Sequence, residues 1–190
     1  ETPEHAVIDY LCREGAAPFG AIEEGGYHHY ATYLKRQIQV EAEEKVPEGK
    51  MAKLLYDMYQ PDCAKYAVES DVPQIYELLL ENFDLQADHI PSEDDLLQIV
   101  KEKEVMIYKI GDKIECFFIY RREGKKLYCA FSYNHASADI LYSIERRVKE
   151  IEYEENGIKM HYAWFNAENK KALRRNAWKD TKIRDYIFVK

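Results

Sequence analysis

The residues best placed to do chemistry lie where an alternating stretch of the sequence gives way to a helical one. Residues 126–133 alternate as a strand does, and residues 137–155 carry apolar side chains at helical spacing. A short polar segment, residues 134–139, joins them and is called the elbow below. A helix that begins at such an elbow has unpaired backbone amides at its positive end, which can bind an anion. The elbow is therefore a candidate anion-binding site.

Two histidines are expected near this elbow, His135 within it and His161 on the penultimate predicted strand. Either could act as a general base, because an imidazole titrates near neutrality. A structural or capping role is the alternative, and it is the default for a histidine without an identified carboxylate partner. His28 and His29 are adjacent on a predicted strand, where neighbouring side chains point to opposite faces. We interpret that pair as surface or packing residues rather than metal ligands.

Composition limits the classes of protein that fit. The 190 residues, 46% hydrophobic and 13% aromatic, predict one globular domain, or one domain with a small appendage. The net charge of −8 disfavours a nucleic-acid partner, and no apolar run is long enough to predict a membrane span. Four widely spaced cysteines favour a reduced, cytoplasmic protein without structural zinc. Because the first residue is Glu1 rather than Met, an excised part of a longer protein is one expectation.

One cationic run stands out late in the chain. A phosphate of a nucleotide or an acidic partner could bind it, but a solvated helix face is the preferred interpretation because exposed charges usually contribute little. The run comprises Lys170, Lys171, Arg174 and Arg175.

The first part of the chain is predicted to contain a helix and a hairpin. Apolar spacing and a following glycine predict a helix over residues 3–14. Two short runs around a Glu-Glu-Gly-Gly turn predict a hairpin over residues 18–34, whose first strand is residues 19–22. The charged residues 35–45 fit either a helix or a linker.

A second helix is predicted over residues 50–59, with its apolar stripe in the core. The Gln-Pro-Asp sequence at 60–62 then marks a boundary between an N-terminal extension, residues 1–62, and a main domain, residues 63–190. The stripe comprises Met51, Leu54, Leu55 and Met58.

After the boundary the order is strand, helix, helix, three-strand meander, helix, strand, helix, strand. Tight turns at Gly111 and Gly124 predict that the meander is antiparallel. The long helix over residues 137–155 is predicted to turn its charged side chains to solvent. Those side chains are Glu145, Arg146, Lys149 and Glu150.

This order resembles the GNAT (GCN5-related N-acetyltransferase) superfamily over residues 64–190. The best local match is Asn169-Lys-Lys-Ala172, which is similar to the family's N-x-x-A helix, followed by the aromatic Trp178. Residues 66–75 resemble the family's first strand and helix. The resemblance implies an α/β fold with a mixed sheet, a GNAT-like acyl-CoA N-acyltransferase fold, preceded by a helix and hairpin extension.

The elbow departs from the family pattern. GNAT enzymes carry a glycine-containing loop here, whose backbone amides wrap the pyrophosphate of coenzyme A, whereas this elbow contains no glycine. Ala136 and Ala138 are small and Ser137 can donate, but the carboxylate of Asp139 would compete with a phosphate for the helix end. The position of the family's general-acid tyrosine is Asn176. The chain thus resembles a divergent member with a degenerate acyl-CoA loop.

The resemblance implies transfer of an acetyl group from acetyl-CoA to the amine of a small-molecule or peptide acceptor. Glu115 lies where the family often places a carboxylate that acts through water, so Glu115 and His135 are the candidate catalytic residues. Residues 131–133 would pair with the pantetheine arm, the elbow would receive the pyrophosphate, and Asn169 would lie beside the thioester. The residues expected to bind the cofactor are Phe131, Ser132, Tyr133, Asn134, Ala136, Ser137, Ala138, Asp139 and Asn169.

A second hypothesis follows from the same departures. A GNAT-like domain without the glycine loop and the tyrosine could serve as a binding or dimerisation module of a larger protein. The tyrosine-rich hairpin, residues 18–34, would then supply contacts in a homodimer, because tyrosine is favoured at interfaces. Neither hypothesis involves a nucleic acid, a membrane or a metal.

Overall fold

The computed structural model describes residues 6–174 and 178–190, and they form an α/β fold. The strands of the described residues are β1 (Val7–Arg13), β2 (His28–Gln39), β3 (Lys65–Tyr66), β4 (Val105–Ile110), β5 (Lys113–Glu123), β6 (Lys126–Asn134), β7 (Met160–Asn166) and β8 (Lys179–Val189). Their helices are α1 (Phe19–Glu24), α2 (Lys50–Asp57), α3 (Val72–Asn82), α4 (Glu93–Lys101), α5 (Ala138–Asn156) and α6 (Lys170–Leu173).

The chain divides into two compact units, Glu1–Ile38 with Tyr162–Lys190, and Gln39–His161. The division into residues 1–62 and 63–190 stays a prediction. None of the helices in the described part of the chain is long and apolar enough to cross a membrane.

The first unit is built around the C-terminal strand. Its strand order is β1-β8-β2-β7, and both β1 and β2 run antiparallel to β8. Val7 and His28 are both register partners of Val189, one on each side of β8. The predicted helix over residues 3–14 is therefore wrong for its described part, which is a strand. Pairing with a strand that is distant in sequence overrides the helical spacing of a few apolar residues.

The predicted hairpin is half correct. The tyrosine-rich return strand exists as β2, but it continues to Gln39 through residues expected to be helix or linker. The predicted strand over residues 19–22 is instead helix α1, which begins after Pro18. The Phe19 ring packs on the rings of Tyr186 and Phe188 at 5.1 and 5.3 Å, so packing on β8 holds this segment where a hairpin partner was expected.

The second unit contains the predicted meander. Its strand order is β6-β5-β4-β3, and all neighbouring pairs are antiparallel. Successive side chains of β5 alternate between two buried clusters, with Phe117 in the cluster that contains α3 and α4, and Phe118 in the cluster that contains α5. Helix α5 ends at Gly157, whose φ of 63° is the left-handed conformation that glycine adopts at low cost.

The predicted solvent face of α5 is largely covered. The guanidinium of Arg146 lies 4.6 Å from the Tyr56 ring centroid and 4.0 Å from that of Tyr59, and its Nε lies 3.3 Å from a carboxylate oxygen of Glu44. Helix α2 therefore contacts α5 through tyrosines. Its Met and Leu stripe was predicted to be core, but Met51 is 67% exposed, and Leu54 and Met58 are exposed as well.

Candidate active site

Glu115 lies in a β-bulge at the start of β5. On the β4 side, Ile114 pairs with Lys109 and Cys116 pairs with Tyr108, so Glu115 is the extra residue between two consecutive pairs. A bulge bends its strand and re-aims the side chain of the extra residue, and bulges are frequent next to active sites. Glu115 is also buried, with a relative exposure of 9%. The bulge therefore controls where this carboxylate points.

The structure brings the two candidate catalytic residues together. The Nδ1 atom of His135 lies 2.7 Å from Oε2 of Glu115, and the ammonium of Lys113 lies 2.8 Å from the other carboxylate oxygen. Phe131, Tyr133 and His135 alternate along β6 and its continuation, which places the imidazole on the face of the sheet that carries Phe117. The carboxylate partner that the sequence could not identify for His135 is Glu115.

Electrostatics keeps this carboxylate ionised. Hydrogen bonds from Lys113 and then from His135 lower the pKa of Glu115, and the same contact with Glu115 raises the pKa of Lys113. In the tautomer in which Nδ1 donates to Glu115, the Nε2 atom of His135 carries the lone pair that can accept a proton. The His135 side chain is 68% exposed, so a reactant can approach it. The pair therefore has the geometry expected of a general base that is oriented by a carboxylate.

The elbow is only partly available to an anion. The backbone amides of His135 and Ala136 both donate to the carbonyl of Glu115, at 2.8 and 3.2 Å. Ser137, the N-cap of α5, and Ala138, its first residue, are exposed. The first-turn amides of a helix point outward along its axis, so these two positions offer the donors that an anion could use. An anion at the elbow is therefore expected at its helical end rather than at its strand end.

Asp139 is buried beside this helix end rather than exposed at it. Its Oδ2 accepts a hydrogen bond from Nε2 of Gln60 at 3.2 Å, and the Gln60 backbone amide donates to the Ser143 hydroxyl at 3.0 Å. Gln60 was not singled out from the sequence, where it appeared only as part of a boundary. Asn134 caps the elbow from the strand side by donating from Nδ2 to the carbonyl of Ser137 at 3.2 Å.

The three strand residues expected to pair with the pantetheine arm have different surroundings. Phe131 is buried and packs edge-on against Phe83 at 5.1 Å, so only its backbone could contact a ligand. Tyr133 stacks on Phe117 at 5.4 Å and is half-buried, while Ser132 is exposed. Their predicted contact with the arm stays a prediction.

Asn169 and His161 have structural contacts. Asn169 belongs to the first unit, where it is the N-cap of α6 and its side chain accepts from the amide of Ala172 at 3.0 Å. The N-x-x-A spacing is therefore also a helix-capping spacing. His161 is fully buried against the Phe118 ring, at 5.9 Å, and burial lowers its pKa well below the ordinary value. A neutral, buried imidazole is not a candidate base for an external reactant. Asn176 lies outside the described residues.

Solved structures of acetyltransferases share this fold. A GCN5-related N-acetyltransferase from Sphaerobacter thermophilus superposes with a TM-score of 0.66 and 15% identity, over 98% of this chain and 60% of that one. This chain has the GNAT fold. The predicted α/β, GNAT-like fold class is confirmed, while similarity at this level of identity establishes the fold alone.

Two further solved structures agree. A GNAT-family acetyltransferase from Novosphingobium aromaticivorans matches with a TM-score of 0.60 and 12% identity, over 96% of this chain and 73% of that chain. A GCN5-related N-acetyltransferase from Kribbella flavida matches with a TM-score of 0.57 and 11% identity, over 95% of this chain and 42% of that one. No sequence family and no curated protein matches the chain. This chain spans less than two thirds of the length of the Sphaerobacter and Kribbella chains.

Proposed function

We propose that this GNAT-fold chain is an N-acyltransferase that moves an acetyl group from acetyl-CoA to an amine. The observation that supports the proposal is the hydrogen bond between His135 and Glu115, because it is the arrangement expected of an oriented general base and lies at the elbow, where a GNAT fold is expected to bind its cofactor. The acceptor is an amine of a small molecule or a peptide.

The reaction needs one proton removed from the attacking amine. Acetyl-CoA supplies the acetyl group as a thioester, whose carbon–sulfur bond breaks as the carbon–nitrogen bond forms, with coenzyme A leaving as a thiolate that takes a proton from solvent. The Nε2 atom of His135 accepts the amine proton, and the Glu115 carboxylate holds Nδ1–H and stabilises the imidazolium that results. Lys113 keeps Glu115 ionised throughout.

The cofactor's pyrophosphate is assigned to the helical end of the elbow. Ser137 and Ala138 begin a helix of 19 residues, whose N-terminus favours negative charge. Both side chains are small, so the backbone amides can approach a phosphate closely. Backbone atoms of residues 131–133 would hold the pantetheine arm, as the resemblance implies.

Two observations favour a second candidate function, that of a non-catalytic binding or dimerisation module. Two elbow amides are occupied by the Glu115 carbonyl, and Asp139 places a carboxylate in the first turn of α5. Both features weaken a phosphate site. If the module is correct, sedimentation will detect a dimer, and coenzyme A will not change it.

The transfer itself is tested by incubating the chain with acetyl-CoA and a panel of polyamines, amino sugars, amino acids and lysine peptides. We expect release of free thiol that depends on one amine class, with an acetylated product in the mass spectrum. Thiol release that is the same with and without every amine would contradict the proposal.

A further inference from the structure

The start of α3 is bonded to both strands at the bulge that carries Glu115. The side-chain carbonyl of Gln74 accepts a hydrogen bond from the backbone amide of Ile114 at 2.6 Å. A carboxylate oxygen of Asp71, directly before the helix, is bonded to the ammonium of Lys109. Ile114 and Lys109 are register partners, and Glu115 follows that pair immediately. Asp71 and Gln74, at the start of α3, therefore each bond one member of the last regular β4–β5 pair before the bulge.

The bond from Ile114 has a physical reason in the bulge. An extra residue disrupts the ladder locally, so an amide next to it needs an acceptor from outside the sheet. The Ile114 side chain is 1% exposed, and a buried amide without an acceptor is costly. Gln74 supplies that acceptor through its side-chain carbonyl oxygen.

The support behind Gln74 is rigid. Ile75 and Leu79 follow it on α3, and both are fully buried in the cluster that also contains Phe117 of β5. Asp71 is itself buried and also accepts from the amide of Val68. Gln74 is thus fixed to the core on one side and to the bulge on the other.

We propose that Gln74 is a positioning residue, which holds the bulge so that the Glu115 carboxylate meets Nδ1 of His135. It contacts no reacting atom and acts through Ile114 and Glu115. The effect of Gln74 on catalysis rests on the proposed function. Its effect on the contact between Glu115 and His135 can be tested without measuring any activity. Without the Gln74 acceptor, the bulge would relax and the carboxylate would no longer hold the imidazole.

The test uses Gln74→Ala, with Gln74→Glu as the conservative variant that keeps an acceptor oxygen. Gln98→Ala is the matched control, because Gln98 lies on α4 and its side chain bonds Glu102 of the same helix region. The imidazole nitrogens of His135 are observed by nitrogen-15 spectroscopy in the full chain, with Glu115→Ala marking the unpaired ring. Thermal unfolding shows that each variant is folded.

In the unaltered chain and in Gln98→Ala, we expect His135 to be the Nδ1–H tautomer. Gln74→Ala is expected to shift the spectrum toward that of Glu115→Ala and to lower acetyl transfer about tenfold, while Gln74→Glu keeps the original spectrum and rate. A Gln74→Ala spectrum identical to that of the unaltered chain would overturn the inference.

Two further results distinguish a failure of the proposed function from a failure of the inference about Gln74. If no variant and not even the unaltered chain transfers acetyl, the proposed function fails, while the His135 spectrum still decides the role of Gln74. If Gln74→Ala does not fold, hydrogen exchange of the unaltered chain decides. Strong protection of the Ile114 amide supports the inference, and exchange at the rate of an exposed amide contradicts it.

Discussion

His135 and Glu115 are joined by two hydrogen bonds, one between side chains and one between backbones. The imidazole Nδ1 lies 2.7 Å from a carboxylate oxygen, and the His135 amide donates to the Glu115 carbonyl at 2.8 Å. The backbone bond continues the pairing of β5 with β6 by one residue, past the pair Cys116 and Asn134. The sheet register therefore brings the two residues together, and the bulge aims the carboxylate.

The pair is expected to be required for transfer but not for folding. His135→Ala removes the base and Glu115→Gln removes the charge that holds it, so each should lower kcat/KM by about 100-fold or more. The double variant should lose little beyond the larger single effect, because the two residues act as a unit. Steady-state kinetics with the amine found active measures this, and His28→Ala, an exposed strand histidine, is the control. Additive losses would show that the residues act separately.

Asp139 is expected to weaken coenzyme A binding. Its buried carboxylate lies in the first turn of α5, where it opposes a second negative charge at the helix end. Asp139→Asn keeps the shape and should tighten binding by up to about fivefold, because a charge in the first turn of a helix typically contributes about 0.3–1 kcal/mol at the helix end. Titration calorimetry compares it with Asp112→Asn, an exposed turn residue. Unchanged affinity would place the pyrophosphate elsewhere.

Glu152 is expected to dominate the stability of the second unit. Its fully buried carboxylate accepts from the Tyr120 hydroxyl at 2.9 Å, Nε of Arg122 at 2.8 Å and Nδ2 of Asn156 at 2.8 Å. Glu152→Ala leaves Arg122 without this partner and should cost about 3–5 kcal/mol of unfolding free energy. Urea denaturation measures this, and the exposed Glu155→Ala should change it by less than about 0.5 kcal/mol. A small loss at Glu152 would mean that water replaces the carboxylate.

His161 is expected to make stability fall in acid. Burial, with a smaller effect from Lys149, lowers its pKa, so the folded chain keeps it neutral while the unfolded chain protonates it below about pH 6.5. The unfolded state then binds more protons, and this contribution to the unfolding free energy is lost as pH falls, by up to about 1.4 kcal/mol per pH unit. His161→Gln should flatten that slope between about pH 6.5 and pH 5 in denaturation curves, relative to the chain with His161. An unchanged slope would mean that His161 is not the cause.

Local signals were sufficient for most of the second unit. The turns at Gly111 and Gly124 are two-residue hairpin signals between apolar runs, so the meander could be read directly. In the first unit, β1 and the full length of β2 could not be predicted in this way, because they are defined by pairing with β8 at the other end of the chain. The apolar stripe of α2 also gave a wrong prediction of which side chains are buried, because that helix packs through Tyr56 onto Arg146.

Residue type and family resemblance point to His135 and Glu115, and their catalytic role stays a prediction. The direction of the Glu115 side chain could not be predicted, because it depends on a bulge that no sequence signal marks. Lys113 was missed, although its place two residues before Glu115 on one strand is the signal that could have found it. Gln60 was missed because its contact with Asp139 spans distant parts of the sequence.

The most direct test of the central claim is calorimetry of the chain with acetyl-CoA and with free coenzyme A at pH 7. The elbow assignment predicts binding of both ligands, and Ser137→Glu, which places a carboxylate at the helix start, should abolish it while Ser132→Glu weakens it less. The tertiary structure of each variant is checked by near-ultraviolet circular dichroism. No heat and no thermal shift with either ligand at millimolar concentration would contradict an acetyl-CoA-dependent transferase.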